Sequence, residues 1–261
     1  MKASRLLFGP LLIASMATSA DAAGSKPDYE LRKKFVDVTV TLDPGVKADK
    51  PLAAYCLREG KGWAAKRGAE AKAATREMPL AFPDHRPWVF TRTYLIRAVI
   101  AGHYVSVVRS DTMDNNGAHP NSDVDAMVWD DAAKKRISIA PFFVETADGG
   151  PTMKALLDDA VDAVKAEKKA RDIDDHSGVD WFKDLKPSLS GIGAVALAPS
   201  TESGKSAGLV FYYPPYAVGP YVEGSYVVFV PWDKLTPYLS PEGQAIFSGS
   251  RPKEDAAANR D

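Results

Sequence analysis

Four histidines, His85, His103, His119 and His176, are the first candidates for proton transfer or metal binding in this chain. None lies within four residues of another. A catalytic zinc site, which uses three protein ligands, would have to assemble in space. His119 sits in the polar loop "MDNNGAHPNSDV", Met113 to Val124. Carboxylate pairs follow at Asp123/Asp125 and Asp130/Asp131. On a strand, Asp123 and Asp125 share a face, which is usable acid–base geometry. Acidic pairs of this kind are more often solvated surface.

Other chemistry finds little support. The chain has no Walker A loop and no H-E-x-x-H helix. Cys56, the only cysteine, falls on an apolar stripe with Leu52, Tyr55 and Trp63 and reads as a small buried hydrophobe. "RDIDDHSGVDW" places Asp172, Asp174 and His176 at calcium-loop positions 1, 3 and 5. It has Ser177 where glycine is needed and Lys183 where a bidentate Glu is needed. No cofactor or metal is expected. The segment "FYYPPYAVGPYVEGSY" carries Tyr212, Tyr213, Tyr216, Tyr221 and Tyr226 among Pro214, Pro215, Gly219 and Gly224. Tyrosine on stiff loops contributes contact area at low entropic cost and suits recognition; rings that seal a core are the competing reading.

Positioning these groups requires a mixed scaffold. "FVDVTVTL" alternates with period two and predicts a half-buried strand, closed by "DPG". Residues 48–78 are rich in helix formers, with Pro51 in the first turn, but Gly60, Gly62 and Gly68 argue against one continuous helix. Arg86 to Asp111 predicts a hairpin turning at "AGH", and Ser122 to Asp130 a third strand. "GPTMKALLDDAVDAVKAEKKARD" is an amphipathic helix with Met153, Leu156, Leu157, Ala160, Val161 and Val164 on its stripe. "GAVALAP", "SAGLVFYY" and "SYVVFVP" are strands, the first two paired, and "WDKLTPYL" is a short helix. Strands cluster rather than alternate with helices. The expected fold class is therefore α+β, mainly antiparallel sheet with packing helices in two intimately joined subdomains.

The N-terminus sets the expected location. Lys2 and Arg5, an apolar run from Leu6 to Ala17, and Ala20-x-Ala22 form a signal-peptide pattern over residues 1–22, too short for a membrane span. A periplasmic or secreted protein that does not span the membrane after cleavage follows. The remaining 31 basic and 33 acidic residues nearly balance, which argues against nucleic-acid binding. A lone cysteine gives no internal disulfide framework. Oligomeric state is not readable from these features.

Two motifs in order carry a family resemblance. "NNGAHPN" followed by "VDAMVWDDAAKKRISIAPFF" is similar to a loop–strand–turn pattern of the bacterial envelope. "FYYPPYAVGPYVEGSYVVFVPWDKL" is similar to that family's C-terminal segment. The pair resembles the RsiV/PdaC-type extracellular region, a deacetylase PdaC-like accessory domain followed by an RsiV-like C-terminal domain of unknown function. The resemblance implies a PdaC-like subdomain at 32–172, an RsiV-like subdomain at 173–247 and a disordered tail at 248–261. It departs from the family at Asn116, Pro141 and Ala217. RsiV-like anti-sigma factors use this region to bind lysozyme, and PdaC-like deacetylases carry it beside a separate catalytic domain absent here. The resemblance thus implies a non-catalytic envelope binding module for a cell-wall glycan (peptidoglycan) or a lysozyme-like protein. Asn116, His119, Tyr216 and Tyr221 are the expected binding residues. The alternative is a deacetylase-like cell-wall hydrolase using His119 and nearby carboxylates. Within the loop, Gly117 is expected to permit the turn and His119 to tie the loop to neighbouring backbone.

Overall fold

The structure is a computed structural model and describes residues 26–173 and 178–257. The signal-peptide segment and the centre of the calcium-like loop, including His176, lie outside the described residues.

The fold is α+β, as the clustering of strands implies. Strands β1 (Tyr29–Lys33), β2 (Val36–Leu42), β3 (Trp88–Ile100), β4 (Tyr104–Asp114), β5 (Asn121–Asp130) and β6 (Lys135–Ile137) form one sheet in sequence order. Its pairs are antiparallel except β2–β3, which are parallel and joined through helices α1 (Pro44–Ala48) and α2 (Lys50–Glu77). A second antiparallel sheet holds β7 (Ala194–Leu197), β8 (Gly208–Tyr213) and β9 (Tyr226–Pro231). Between the sheets in sequence runs α3 (Pro151–Ala170), and three short helices follow β9: α4 (Trp232–Leu235), α5 (Pro241–Ile246) and α6 (Lys253–Ala257).

Side-chain alternation stacks these elements into four layers. Val40, Leu42, Tyr94, Val107, Met127 and Trp129 face α2 and bury Leu52 and Cys56. From the opposite side of the same strands, Val108 meets Ala196, Ala198, Ala207 and Val210 of the second sheet, with Val124 and Ala126 packed against them. The other face of that second sheet, Leu209, Phe211, Tyr213, Val228 and Val230, is covered by Met153, Leu156, Ala160 and Val164 of α3. The order is helix, sheet, sheet, helix. Small residues between the sheets bring their backbones close enough for the Leu197 amide to donate to the buried Ser106 hydroxyl at 2.9 Å. Since α3 packs on the second sheet, the division expected at 172/173 cuts between a helix and the sheet it covers.

Three expectations change. Helix α2 runs unbroken for 28 residues, despite its glycines. The reason is contact: a Cβ at Gly60 would stand 2.8 Å from Cγ1 of Val40, and one at Gly68 would stand 3.0 Å from Leu31. The glycines let the helix approach the sheet, and that packing outweighs their low helix propensity. The expected disordered tail is ordered through Ala257. Trp232 Nε1 donates to the Gly249 carbonyl at 3.0 Å, and Asp255 pairs with Arg251 at 2.6 Å and with Arg97. Arg97 reaches it from a register shift in β3 between Ile96 and Ala98. In the loop before β5, the left-handed residue is Asn116, at φ 59°, and not Gly117; asparagine tolerates this region through its short polar side chain.

The start of α3 has an unusual cap. Gly150 supplies no side chain, and Glu145 substitutes: its carboxylate accepts from Thr152 N at 2.8 Å and Ala147 N at 2.9 Å. Bonds from Thr152, through its side chain and its amide, and from Ala147 hold this carboxyl below its usual range. A lowered folded-state value contributes stability that is complete above the ordinary carboxylate range and is lost as the pH falls through the lowered value. Urea denaturation between pH 3 and pH 7 (roughly the span over which carboxylates titrate) should show Glu145→Gln narrowing the gap between acidic and neutral stability. Gly60→Val should destabilise by about 1–3 kcal/mol through overpacking, read from the same denaturation midpoints.

Candidate functional site

Two groups of polar side chains stand out, and they differ in character. The first is an ion network between α2 and the large sheet. Cross-strand register sets Arg92 opposite Asp111 and Asp111 opposite Asp123, with Tyr94, Arg109 and Asp125 in the next row. Arg92 and Asp111 are each 3% exposed and form a bidentate pair at 2.7 and 2.6 Å. The Arg92 guanidinium also stacks over Trp63 at 4.3 Å. Arg109 reaches Glu59 at 2.9 Å and Asp125 at 3.2 Å, and Tyr94 donates to Glu59 at 3.1 Å. Arg136 completes the set with Asp125 at 3.1 Å.

This network gives Asp123 and Asp125 a structural task. Asp123 accepts from the Val124 amide at 2.9 Å, and Asp125 accepts from the Ala126 amide at 2.8 Å. Both carboxylates also pair with Arg109. A general acid or base needs a carboxyl free to exchange its proton with substrate, and these are engaged in holding a strand edge. Cys56 is likewise withdrawn from chemistry. Burial, then the charges of Glu59 and Asp49, push its thiol up to about 12, and a thiol is a nucleophile only as the thiolate.

The second group is a ring cluster where two loops meet. The β4–β5 loop brings His119, and the β8–β9 loop brings Tyr216 and Tyr221. The His119 and Tyr221 rings stack at 3.7 Å between centroids, inclined by 21°. Tyr216 lies 6.2 Å from His119 and 5.6 Å from Tyr221. His119 Nδ1 is 3.1 Å from the Pro120 carbonyl, and Nε2 is 3.3 Å from the Tyr216 hydroxyl. A carbonyl only accepts, so these partners assign the proton to Nδ1 and leave Nε2 to accept from Tyr216. The Tyr221 hydroxyl donates to the same Pro120 carbonyl at 3.2 Å. Tyr216 adopts φ 73° and stays 53% exposed. A non-glycine residue there costs on the order of 1–3 kcal/mol of local strain, sustained by the surrounding loop.

Of the four expected binding residues, the structure therefore unites His119, Tyr216 and Tyr221. Asn116 turns to the other side. Its Nδ2 donates to the carbonyls of Ala81 at 3.0 Å and Arg86 at 3.1 Å, and its Oδ1 accepts from Arg86 Nε. It braces the loop against residues 81–86. Among the described residues, no group of three or more His, Cys, Asp or Glu is placed to hold a metal ion, and no helix is long and apolar enough to cross a membrane. Sequence reasoning missed the arginine network. Its trace is there in retrospect: Arg92/Tyr94, Arg109/Asp111 and Asp123/Asp125 each sit two apart on a strand, on the face that also carries apolar residues.

Fold and site together define a layered α+β protein with a partly exposed ring cluster on converging loops. Residues 153–233 match the family model described as "Protein of unknown function (DUF3298)". That match begins inside α3 and includes the tyrosine-rich loop. The fold is similar to a solved DUF3298 family protein from Pseudomonas aeruginosa PAO1, at 18% identity and a TM-score of 0.52, covering 82% of this chain and 87% of that one. A DUF3298 family member from Bacteroides fragilis NCTC 9343 gives 15% identity and a TM-score of 0.53, covering 80% and 88%. No curated protein matches the chain.

Removing one partner of a buried ion pair leaves the other uncompensated, which typically costs about 3–5 kcal/mol. Asp111→Ala should show a loss of that size in denaturant titration. Exposed Glu30→Ala, which loses a surface pair with Arg32, should stay within about 1 kcal/mol. Cys56 should resist a thiol-reactive dye in the native protein and react fully once unfolded.

Proposed function

We propose that this protein is an exported, non-catalytic binding protein of the cell envelope, and that the His119–Tyr216–Tyr221 cluster recognises a cell-wall glycan. The observation that carries the reading is the cluster itself: His119 and Tyr221 stacked face to face from two loops, with Tyr216 inclined to both and half-exposed at the rim. Flat faces with hydroxyl and ring-nitrogen edges match a sugar, whose apolar ring face stacks and whose hydroxyls hydrogen-bond. The histidine supports binding over hydrolysis. Both its nitrogens are committed within the loops, and the nearby carboxylates serve Arg109, Arg136 and backbone amides. Export rests on the charged, apolar and small-residue pattern of residues 1–22. The finer kinship to the RsiV/PdaC-type region belongs to the same proposal, supported by the two ordered sequence motifs.

The test is sedimentation of the purified protein with insoluble peptidoglycan, beside retention on immobilised lysozyme. The expected result is saturable co-sedimentation weakened about tenfold by Tyr216→Ala, equivalent to about 1.4 kcal/mol, with the thermal midpoint unchanged. Retention by lysozyme alone would transfer the cluster to a protein partner. Binding to neither would end the proposal.

A further inference from the structure

Helix α2 ends at Glu77, and the chain crosses to β3 through two short helical turns, Pro79–Ala81 and Pro83–His85. A pocket of about 370 Å³ lies beside them. It is lined by Lys34, Phe35, Thr75, Pro79, Phe82 and His85, which come from the β1–β2 turn, the end of α2 and this connection. Ligand sites run from about 300 to 1,000 Å³, so the pocket suits a small molecule.

Its walls are fixed before anything binds. The Ala81 carbonyl accepts from Trp88 Nε1 at 3.2 Å and from Asn116 Nδ2 at 3.0 Å. The Phe82 ring stacks on Trp88 at 5.1 Å, inclined by 17°, and the Trp88 amide donates to the Phe35 carbonyl at 3.0 Å. Asp84 and His85 are consecutive left-handed residues, at φ 51° and 60°. Neither is glycine, so the chain accepts strain twice in succession to set His85 at the pocket. Strain of this kind collects at ligand sites and active sites.

The polar groups are of one kind. Lysine offers donors and no acceptor, and a histidine ring always offers at least one donor. Among the described residues, neither the Lys34 ammonium nor the His85 ring has a hydrogen bond or an ion pair. No carboxylate lines the pocket, and the acids next in sequence, Glu77 and Asp84, pair with neither group. Thr75 has already given its hydroxyl proton to the Lys72 carbonyl at 2.8 Å. A lysine beside a helix C-terminus also offsets the helix dipole; selective binding of an anion separates that role from a ligand site.

We propose that this pocket binds a small aromatic carboxylate. Its rings pack against Phe35, Pro79 and Phe82, and its carboxylate accepts from Lys34 Nζ and the His85 ring. Flat rings match the aromatic walls, and a carboxylate supplies the acceptors and the negative charge that the pocket lacks. The site shares no residue with the ring cluster and does not rest on the glycan reading.

The probe is naphthoate, titrated into the full chain by calorimetry at neutral pH. Naphthalenemethanol keeps the rings without the charge, naphthylmethylammonium reverses the charge, and octanoate keeps the charge without the rings. A single saturable site is expected for naphthoate, with each comparator weaker by about fivefold or more. Lys34→Ala should weaken naphthoate by about the same factor and leave the neutral alcohol unchanged. Binding should also shift the His85 ring-proton resonances, assigned with His85→Gln. No saturable binding, a comparator that binds as tightly, a Lys34→Ala loss shared by the alcohol, or unmoved His85 resonances would overturn the proposal.

Discussion

A guanidinium and a carboxylate nearly sealed from water, Arg92 and Asp111, organise the centre of this molecule. Neither charge is tolerable there alone, so β3 and β4 must meet in the one register that joins them. That register fixes the next row, where Arg109 turns to Glu59 of α2 and to Asp125 of β5. Helix, hairpin and third strand are thereby locked together. A buried pair of this kind contributes little net stability over an apolar replacement; what it contributes here is alignment. With β4 and β5 in register, the loop between them is aimed, and His119 arrives where Tyr216 and Tyr221 can stack on it.

Strand β5 serves both sides of the protein. Met127 and Trp129 face the α2 layer, Val124 and Ala126 face the second sheet, and the outer edge is held by Asp123, Asp125 and Arg136. Its first residue follows the Pro120 carbonyl that anchors both His119 and Tyr221. The ring cluster and the outer edge are thus consecutive features of one strand, supported by one ion network.

Much of this was legible in the sequence wherever the signal is local. Period-two alternation locates the strands around Val36, Tyr94 and Val124, and the stripe of α3 is visible from Met153 to Val164. Tyr216, Tyr221 and His119 could be singled out by residue type. Their meeting could not, because it joins residues 97 positions apart. The glycines of α2 misled for a related reason: propensity penalises them, and only the distant Val40 explains them. Asn116 was singled out for its type and position, but its partners in the 81–86 segment decide that it braces rather than joins the cluster. Asp123 and Asp125 read as solvated surface with usable acid–base geometry, and only the arginines of other strands beside them show that they are ion-paired.

The contact between Gly60 and Val40 also bears on how this fold can diverge. With 2.8 Å between a notional Cβ and the valine methyl, the two positions share one small volume. A side chain can grow at 60 only where the one at 40 shrinks. Among descendants of such a chain, these two sites, twenty residues apart and in different kinds of element, would drift as a pair rather than singly. A long helix would then keep its glycine for the sake of a strand, and the coupling would mark the helix–sheet spacing even where overall identity has become too low to align.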